Sequence, residues 1–524
     1  MTSYASSVDA PTTRPTVTLG VGALNLGEVV AVARDGARVE LAPEALAAMA
    51  QSREVIAALA QDRDPHYGIS TGFGALATTF IPLELRAELQ AGLIRSHAAG
   101  VGPVVELEVV RALMLLRLST MATGRTGVRP VTAQTYADVL NAQITPIVHE
   151  FGSLGCSGDL APLAHCALAM MGEGPVLDRD GNRVPAAQAL AEAGIEPLQL
   201  VEKEGLALIN GTDGMLGMLV LAMHDLSDLL AVADVAAAMS VEALLGTDAV
   251  FAADLARLRP HPGQAASATN LRALLADSPI MASHRGPECT RVQDAYSLRC
   301  SPQVHGAARD TLDHAELVAH RELAAAIDNP VVTPDDRVES NGNFHGAPIA
   351  YVLDFLAIAV ADVASISERR IDRQLDARRS DGLPPFLADR PGVDSGHMIA
   401  QYTAAGIVSE LKRLAVPASV DSIPSSGMQE DHVSMGWAAG RKLRRGVDGL
   451  RQVLAIELLT AARALDLRAP LAAAPATGAV RDLIRTGVQG PGPDRFLAPE
   501  IEWVSDAVRT GAVLGAATAV TPLI

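Results

Sequence analysis

The feature that most constrains the fold is an apolar stripe in residues 441–466. The stripe consists of Leu443, Val447, Leu450, Leu454 and Leu458. Because these residues recur every three or four positions, they lie on one face of an α-helix. Residues 347–370 and 396–415 have a similar character, and Pro43 to Ala60 also has helical spacing. Several long helices with one apolar face predict a helical bundle.

Composition supports a mainly α fold. Hydrophobic residues make up 49% of the 524 residues and aromatic residues only 3%, so the apolar mass is Ala, Leu and Val, which suits close helix packing. Weak alternation from Thr18 to Val32 indicates some strand near the start. We predict a flexible tail at 1–16, a smaller mixed region at 17–200 and a long helical bundle at 201–524.

The charge balance limits the classes of partner. Lys and Arg total 42 against 60 Asp and Glu, a formal charge of −18, which disfavours nucleic acid and anionic membrane surfaces. Acidic residues interrupt the apolar region Gly205–Gly246, so we expect a buried helix there rather than a membrane span. The four cysteines form no Cys-x-x-Cys pair, as in proteins of a reducing cytoplasm. The thirteen histidines show no metal-binding spacing, so we predict no metal site.

The most informative segment, Gly152 to His165, reads GSLGCSGDLAPLAH. It predicts a glycine-rich loop entering a helix, with Asp159 as the cap and Pro162 in the first turn. The plain interpretation is a tight turn before a helix. The segment lacks the Gly-x-Ser-x-Gly frame of a nucleophile elbow and the Gly-Lys-Ser/Thr of a P-loop.

This segment resembles the signature of the histidine and aromatic amino acid ammonia-lyases. Five other segments resemble that family in the same order, over roughly residues 15–480. They are Tyr67–Gly74, Gly205–Thr212, Gln293–Cys300, Gly342–Gly346 and Met428–Gly436. The resemblance implies the ammonia-lyase fold, in which a smaller mixed N-terminal region carries the reactive loop beside a long-helix bundle.

In that family three consecutive residues cyclise without help to 4-methylideneimidazole-5-one (MIO), and here the resemblance places them at Cys156, Ser157 and Gly158. The amide nitrogen of the third residue attacks the carbonyl of the first, so a β-carbon on Gly158 would obstruct the approach. Ser157 then loses water and leaves an exocyclic methylene. The family usually has Ala in the first position. Since the side chain of Cys156 stays outside the ring, we expect cyclisation to survive.

The resemblance also implies roles for other residues, each with a plainer structural alternative. Tyr67 is the expected base for the β-proton, or else a loop-packing residue. Arg299 is expected to pair with the substrate carboxylate, or else forms a structural ion pair. Tyr296 and Asn210 are expected to hydrogen-bond the cofactor or substrate, or else are satisfied core groups. Gln293 belongs to the same substrate-binding set as Arg299.

The choice of amino acid rests on two positions. Ser96-His97 is the pair that histidine-specific members carry, and Glu430 stands where members specific for phenylalanine or tyrosine usually have a neutral amide. Two polar groups suit an imidazole, whereas a phenyl ring would leave the charge of Glu430 unpaired. Phe344 is expected to form a pocket wall, or else is a core aromatic. His97 as a helix cap and Glu430 as a structural ion pair are the alternatives.

The function that the resemblance implies is the elimination of ammonia from L-histidine to give trans-urocanate, the first step of histidine degradation. A phenylalanine or tyrosine ammonia-lyase, or a 2,3-aminomutase, is the nearest alternative. An inactive helical scaffold is a third. The resemblance further implies a homotetramer with active sites shared between subunits.

Overall fold

The computed structural model describes residues 14–286, 289 and 292–524. Most of the tail predicted at 1–16 lies outside the described residues, and the first strand begins at Thr16. The chain is 58% helical with few strands, which confirms the prediction of a mainly α fold.

The α-helices of the described residues are α1 Leu26–Ala33, α2 Pro43–Ala60, α3 Arg86–His97, α4 Leu107–Ala122, α5 Pro130–Asn141, α6 Leu160–Met170, α7 Ala186–Glu192, α8 Glu204–Ala207, α9 Asp213–Ala243, α10 Ala253–Leu258, α11 Pro262–Leu274, α12 Pro279–Ala282, α13 Tyr296–Arg299, α14 Ser301–Leu323, α15 Ala347–Leu375, α16 Met398–Leu414, α17 Gly436–Asp466, α18 Pro475–Gly487, α19 Ala498–Arg509 and α20 Ala512–Thr518. Short 3-10 helices span Gly74–Leu76, Leu83–Leu85, Ala249–Phe251, Pro385–Leu387 and Ser426–Met428.

The strands are short: β1 Thr16–Leu19, β2 Arg38–Leu41, β3 Val101–Val104, β4 Thr145–Pro146, β5 His149–Phe151, β6 Pro175–Leu177, β7 Arg183–Pro185, β8 Val331–Val332 and β9 Val338–Glu339. β1 pairs with β2 in parallel, with Thr16 opposite Arg38. The pairs β3–β5, β4–β6, β6–β7 and β8–β9 are antiparallel.

The chain folds into two compact units. The first unit comprises Met1–Leu221, Ala319–Ala350 and Val420–Ala438, and the second comprises Ala222–Val318, Tyr351–Ser419 and Ala439–Ile524. The chain therefore returns to the first unit twice. The division into a mixed region at 17–200 and a helical bundle at 201–524 stays a prediction. The two compact units are each built from three separate stretches of the chain, so they do not test it.

The core of the first unit is built around α4. Every residue of this helix from Val109 to Ala122 is buried, and α1, α2, α5 and α6 all pack on it. A helix that is buried all round has to be apolar on every face, which explains its run of Leu, Met and Ala. The charged exceptions are Arg111 and Arg117, whose guanidinium groups donate to backbone carbonyls. Those bonds offset the cost of burying two charges.

In the second unit, the predicted stripe of α17 is confirmed. Leu443, Leu450, Leu454 and Leu458 are fully buried, and Val447 is 2% exposed. Arg445 and Asp448, which stand between them, are exposed. The alternation of buried and exposed positions is that of a bundle helix with one face in the core.

The strand character predicted for Thr18 to Val32 is partly wrong. β1 ends at Leu19, and Leu26–Ala33 forms α1. The side chain of Asn25 accepts from the backbone N–H of Glu28, and the Glu28 carboxylate accepts from the N–H of Asn25. This capping box satisfies two donors that the helix start would leave unpaired, so local capping overrides the weak alternation.

Two helices, Asp213–Ala243 and Ala347–Leu375, are long and apolar enough to cross a membrane by length and composition. Within the chain, 72% and 61% of their most apolar windows are buried. Core helices of folded proteins show the same combination.

Candidate active site

The loop before α6 can be formed only with glycine at position 158. Gly158 has φ 73°, in the left-handed region that L-residues rarely adopt. A β-carbon added there would overlap the backbone carbonyl of Gly211. The next residue confirms this close approach, because the N–H of Asp159 donates to the Gly211 carbonyl at 2.7 Å. The loop and the Asn-Gly-Thr segment are thus packed backbone against backbone.

Asp159 stands at the start of α6, but its side chain does not cap that helix, so this part of the prediction is wrong. Oδ2 instead accepts from the N–H groups of Gly214 and Met215, both at 2.9 Å, and Oδ1 accepts from Ser153 Oγ at 3.0 Å. The carboxyl group therefore caps α9 and ties it to the loop. Burial raises the pKa of Asp159 to about 7, although these hydrogen bonds act in the opposite direction.

We expect Asp159→Ala to lower the free energy of unfolding by about 1–3 kcal/mol at pH 7, since it leaves two buried N–H groups unpaired. A carboxyl whose native pKa is raised stabilises most at low pH and loses that contribution as pH rises from about 4 towards 7. The deficit should therefore be larger at pH 5 than at pH 8 in urea unfolding. Asp178→Ala is the control, because Asp178 also accepts from two backbone amides but in an exposed hairpin. An equal loss in both variants would contradict the prediction.

Two further segments of the first unit hold the other side of the loop. Ser434 Oγ donates to the Gly155 carbonyl at 2.7 Å, and the N–H of Gly346 donates to the same carbonyl at 3.2 Å. The N–H of Met435 donates to the Leu154 carbonyl at 2.9 Å. The loop is therefore fixed by residues nearly 200 and 280 positions away in sequence, which sequence inspection alone could not reveal.

A cavity of about 670 Å³ opens beside this loop. Its lining brings together five of the residues predicted for the site: Tyr67, His97, Ser157, Asn210 and Glu430. Apolar side chains, among them Phe73, Leu89 and Leu206, form much of the remaining wall. This combination of an apolar wall with a few convergent polar groups is typical of a small-molecule site.

His97 ends α3, and its ring is held by that helix. Nδ1 lies 2.9 Å from the Leu93 carbonyl, and because a carbonyl can only accept, Nδ1 carries the proton. In the neutral ring Nε2 is then an acceptor. Burial lowers the pKa of His97, while the Leu93 contact and the charge of Glu430 act in the opposite direction. His97 thus contacts the end of its own helix, as the structural alternative predicts, and it also lines the cavity.

Glu430 lies on a tight turn that closes on Ser425. The N–H of Ser425 donates to the Glu430 carbonyl at 2.8 Å. Two side chains then donate to the same carboxylate oxygen, Oε2: Ser425 Oγ at 3.0 Å and Cys156 Sγ at 3.2 Å. The carboxylate is therefore held at the cavity by the backbone of its own turn and by the first residue of the Cys-Ser-Gly triplet.

Tyr67 begins the Gly-rich segment that forms one side of the cavity. Its hydroxyl accepts from the N–H of Gly74 at 3.4 Å. Burial raises the pKa of Tyr67, the Gly74 contact lowers it and the charge of Glu430 raises it. The phenol is thus protonated at neutral pH in this arrangement, so a role as base requires added positive charge near its oxygen.

Hydrogen bonds hold the backbone carbonyl and the side-chain nitrogen of Asn210 in place. Arg117 Nη1 donates to its carbonyl at 2.7 Å, and its own Nδ2 donates to the Asn329 carbonyl at 2.9 Å. Its Oδ1 is buried, with no hydrogen-bond partner among the described residues. A buried amide oxygen that is left unpaired at a cavity wall is a group suited to a bound ligand.

The other predicted residues lie outside this cavity's lining. Arg299 stacks on Tyr296 in the second unit, with Cζ 4.6 Å from the ring centroid, and lines a separate cavity of about 220 Å³. Tyr296 is 71% exposed, and Gln293 is also exposed. Phe344, in the first unit, is half-buried. Their predicted roles stay predictions.

Sequence inspection missed two supports of the site. One is the cap that Asp159 provides to α9, for which the motif gives no separate signal. The other is Arg117, whose charge within the mostly apolar helix α4 was a usable sign of a buried polar network. Among the residues that the structure describes, no group of three or more His, Cys, Asp or Glu side chains is placed to hold a metal ion.

Curated relatives resemble the chain over almost its whole length. The histidine ammonia-lyases of Streptomyces avermitilis and Streptomyces coelicolor are each 64% identical over 507 residues, covering 97% of this chain and 99% of theirs.

Solved structures share the fold. A histidine ammonia-lyase from Trypanosoma cruzi has a TM-score of 0.89 at 40% identity and covers 97% of this chain and 96% of its own. A tyrosine aminomutase from Streptomyces globisporus has a TM-score of 0.91 at 40% identity, covering 97% and 99%. A model of the aromatic amino acid lyase family matches residues 24–486. The chain belongs to the aromatic amino acid lyase family.

Proposed function

We propose that this protein is a histidine ammonia-lyase, a carbon–nitrogen lyase that converts L-histidine to trans-urocanate and ammonia as the first step of histidine degradation. The observation that carries the proposal is one cavity that holds Ser157 together with His97 and Glu430. The 64% identical relatives with this name support it.

Cys156, Ser157 and Gly158 are the residues that would form MIO. Two observations fit such a group: the space beside Gly158 admits no side chain, and the buried Oδ1 of Asn210 lacks a partner among the described residues. An N–H or a bound amine could satisfy that oxygen. When formed, the group supplies an electrophile that makes the substrate's amino group able to leave.

His97 and Glu430 would select the substrate by its imidazole ring. The Nε2 of neutral His97 and the carboxylate of Glu430 are both acceptors, so together they match the two N–H donors of a protonated imidazole ring. A phenyl ring offers no donor, so it would add nothing to the two donors, Ser425 and Cys156, that the Glu430 carboxylate already has in a largely apolar cavity. The site therefore favours histidine over phenylalanine, and a phenol offers a single O–H where the protonated imidazole offers two N–H groups.

Tyr67 would take the β-proton. Its hydroxyl is in the same cavity, but burial raises its pKa. The ammonium group of an incoming amino acid brings positive charge, which favours the phenolate. A positioned base of this kind typically contributes about 10²–10⁴-fold to the rate.

We expect His97→Leu to lower kcat/KM for L-histidine by about 10²–10⁴-fold, because the substrate ring loses one of its two polar partners. Turnover of L-phenylalanine, which cannot use that partner, should not fall in parallel. Steady-state assays on both amino acids check this, with intact mass confirming that the variant is processed like the parent. Equal losses on both substrates would contradict the selectivity role of His97.

The proposed reaction is tested by incubating the native chain with L-histidine, L-phenylalanine and L-tyrosine. We expect the ultraviolet band of urocanate with L-histidine, and release of ammonia from L-histidine much faster than from L-phenylalanine or L-tyrosine. The solved tyrosine aminomutase of similar fold makes a 2,3-aminomutase the alternative. Preference for tyrosine, or a β-amino acid product in chiral analysis, would favour that alternative. No reaction with any substrate, together with an uncyclised mass, would favour an inactive scaffold.

We further propose a cytoplasmic homotetramer with shared active sites. The exposure of Tyr296 and Gln293 supports a role for this segment in a site completed by another subunit, where Arg299 would bind the substrate carboxylate. Phe344 would form part of the pocket wall. Light scattering after size exclusion tests the oligomeric state.

A further inference from the structure

We propose that Cys156 is a positioning residue for substrate selectivity: its thiol orients the Glu430 carboxylate towards the imidazole-binding part of the cavity. This inference rests on the proposed function. It concerns the side chain of Cys156, which stays outside any ring formed by the backbone of residues 156–158.

The geometry singles out one oxygen of Glu430. Cys156 Sγ lies 3.2 Å from Oε2, and Ser425 Oγ lies 3.0 Å from the same atom. With two donors on Oε2, the carboxylate has one preferred rotation. Ser425 belongs to the same turn as Glu430, whereas Cys156 reaches it from the loop that carries Ser157. The thiol is therefore the direct link between the reactive triplet and the residue proposed to choose the substrate.

The thiol is suited to act as a donor rather than as a nucleophile. Cys156 is 6% exposed. Burial and the adjacent charge of Glu430 raise the pKa of its thiol to about 12. The sulfur thus keeps its proton at physiological pH, and the S–H points its positive end at a carboxylate. An alanine at this position would remove the donor while leaving the backbone unchanged.

The test measures binding without turnover. In a Ser157→Ala background, where we expect turnover to be too slow to interfere, calorimetry with L-histidine gives the dissociation constant directly. We expect Cys156→Ala to weaken binding about three- to tenfold, the scale of one ordinary hydrogen bond, because a thiol is a weak donor. Cys156→Ser should restore most of the affinity, because its hydroxyl is also a donor.

A double-mutant cycle separates positioning from packing. If Cys156 acts through Glu430, Cys156→Ala should change the affinity little once Glu430→Ala is present. A packing role would instead give independent, additive effects in both backgrounds. Cys166→Ala is the matched control. Cys166 is also buried and free, but it lies in α6 and is not one of the two described side chains that donate to Glu430, so its loss should lower stability without changing histidine affinity.

The outcomes distinguish the two proposals. Normal urocanate production by the native chain, combined with unchanged or additive binding effects of Cys156→Ala, would overturn this inference alone. Failure of the native chain to produce urocanate, with no histidine binding in the Ser157→Ala background, would overturn the proposed function and this inference with it.

Discussion

Ser157→Ala should reduce the conversion of L-histidine by about 10³-fold or more, the scale of loss seen when a covalent catalytic group is removed. The hydroxyl of Ser157 is the only group in the triplet that can leave as water to create the methylene carbon. Ser157 also lines the cavity, so the electrophile would be formed where the substrate binds.

The measurement combines rate and mass. The native chain should weigh two water molecules less than its sequence, whereas Ser157→Ala, which has no hydroxyl to lose, should weigh at most one water molecule less. Ser153→Ala is a useful control, since Ser153 lies in the same loop and bonds to Asp159 but stands outside the triplet. An active Ser157→Ala variant, or a native chain of full mass, would remove the electrophile from the proposed mechanism.

Gly158→Ala should destabilise the fold by about 2–5 kcal/mol and prevent cyclisation. Two costs add: the left-handed backbone of Gly158 disfavours a β-carbon, and the added carbon overlaps the Gly211 carbonyl, for about 1–2 and 1–3 kcal/mol respectively. The amide nitrogen that would attack the Cys156 carbonyl would also be displaced with the shifted backbone.

Gly181→Ala separates the backbone cost of the substitution from the cost of the steric overlap. Gly181 has nearly the same φ, 78°, but a β-carbon added there would meet no other part of the described chain within 4 Å. It should therefore show only the backbone cost of about 1–2 kcal/mol and retain the cyclised mass. Urea unfolding and intact mass measure both effects. If the two alanine variants lose equal stability, the close packing of Gly158 on Gly211 is not what requires glycine there.

The long helices were the most predictable part of the fold. The stripe of α17 was readable because a helix with one buried face repeats every three or four residues. The start of the chain was less predictable, since Leu26–Ala33 is decided by the cap at Asn25 rather than by an apolar pattern. The interleaved units could not be read from the sequence, because chain order says little about which distant segments pack together.

Some features of the candidate site could likewise be predicted from the sequence, and others could not. The residue types of the Cys-Ser-Gly triplet follow from local chemistry, which the sequence determines by itself: a backbone nitrogen with unobstructed access and a hydroxyl that can leave. The cavity that gathers Tyr67, His97 and Glu430 exists only after folding. So does the Cys156–Glu430 contact, between residues 274 positions apart. Contacts at that separation depend on how whole segments pack against one another. A local sequence pattern does not show which distant residue a given side chain will meet.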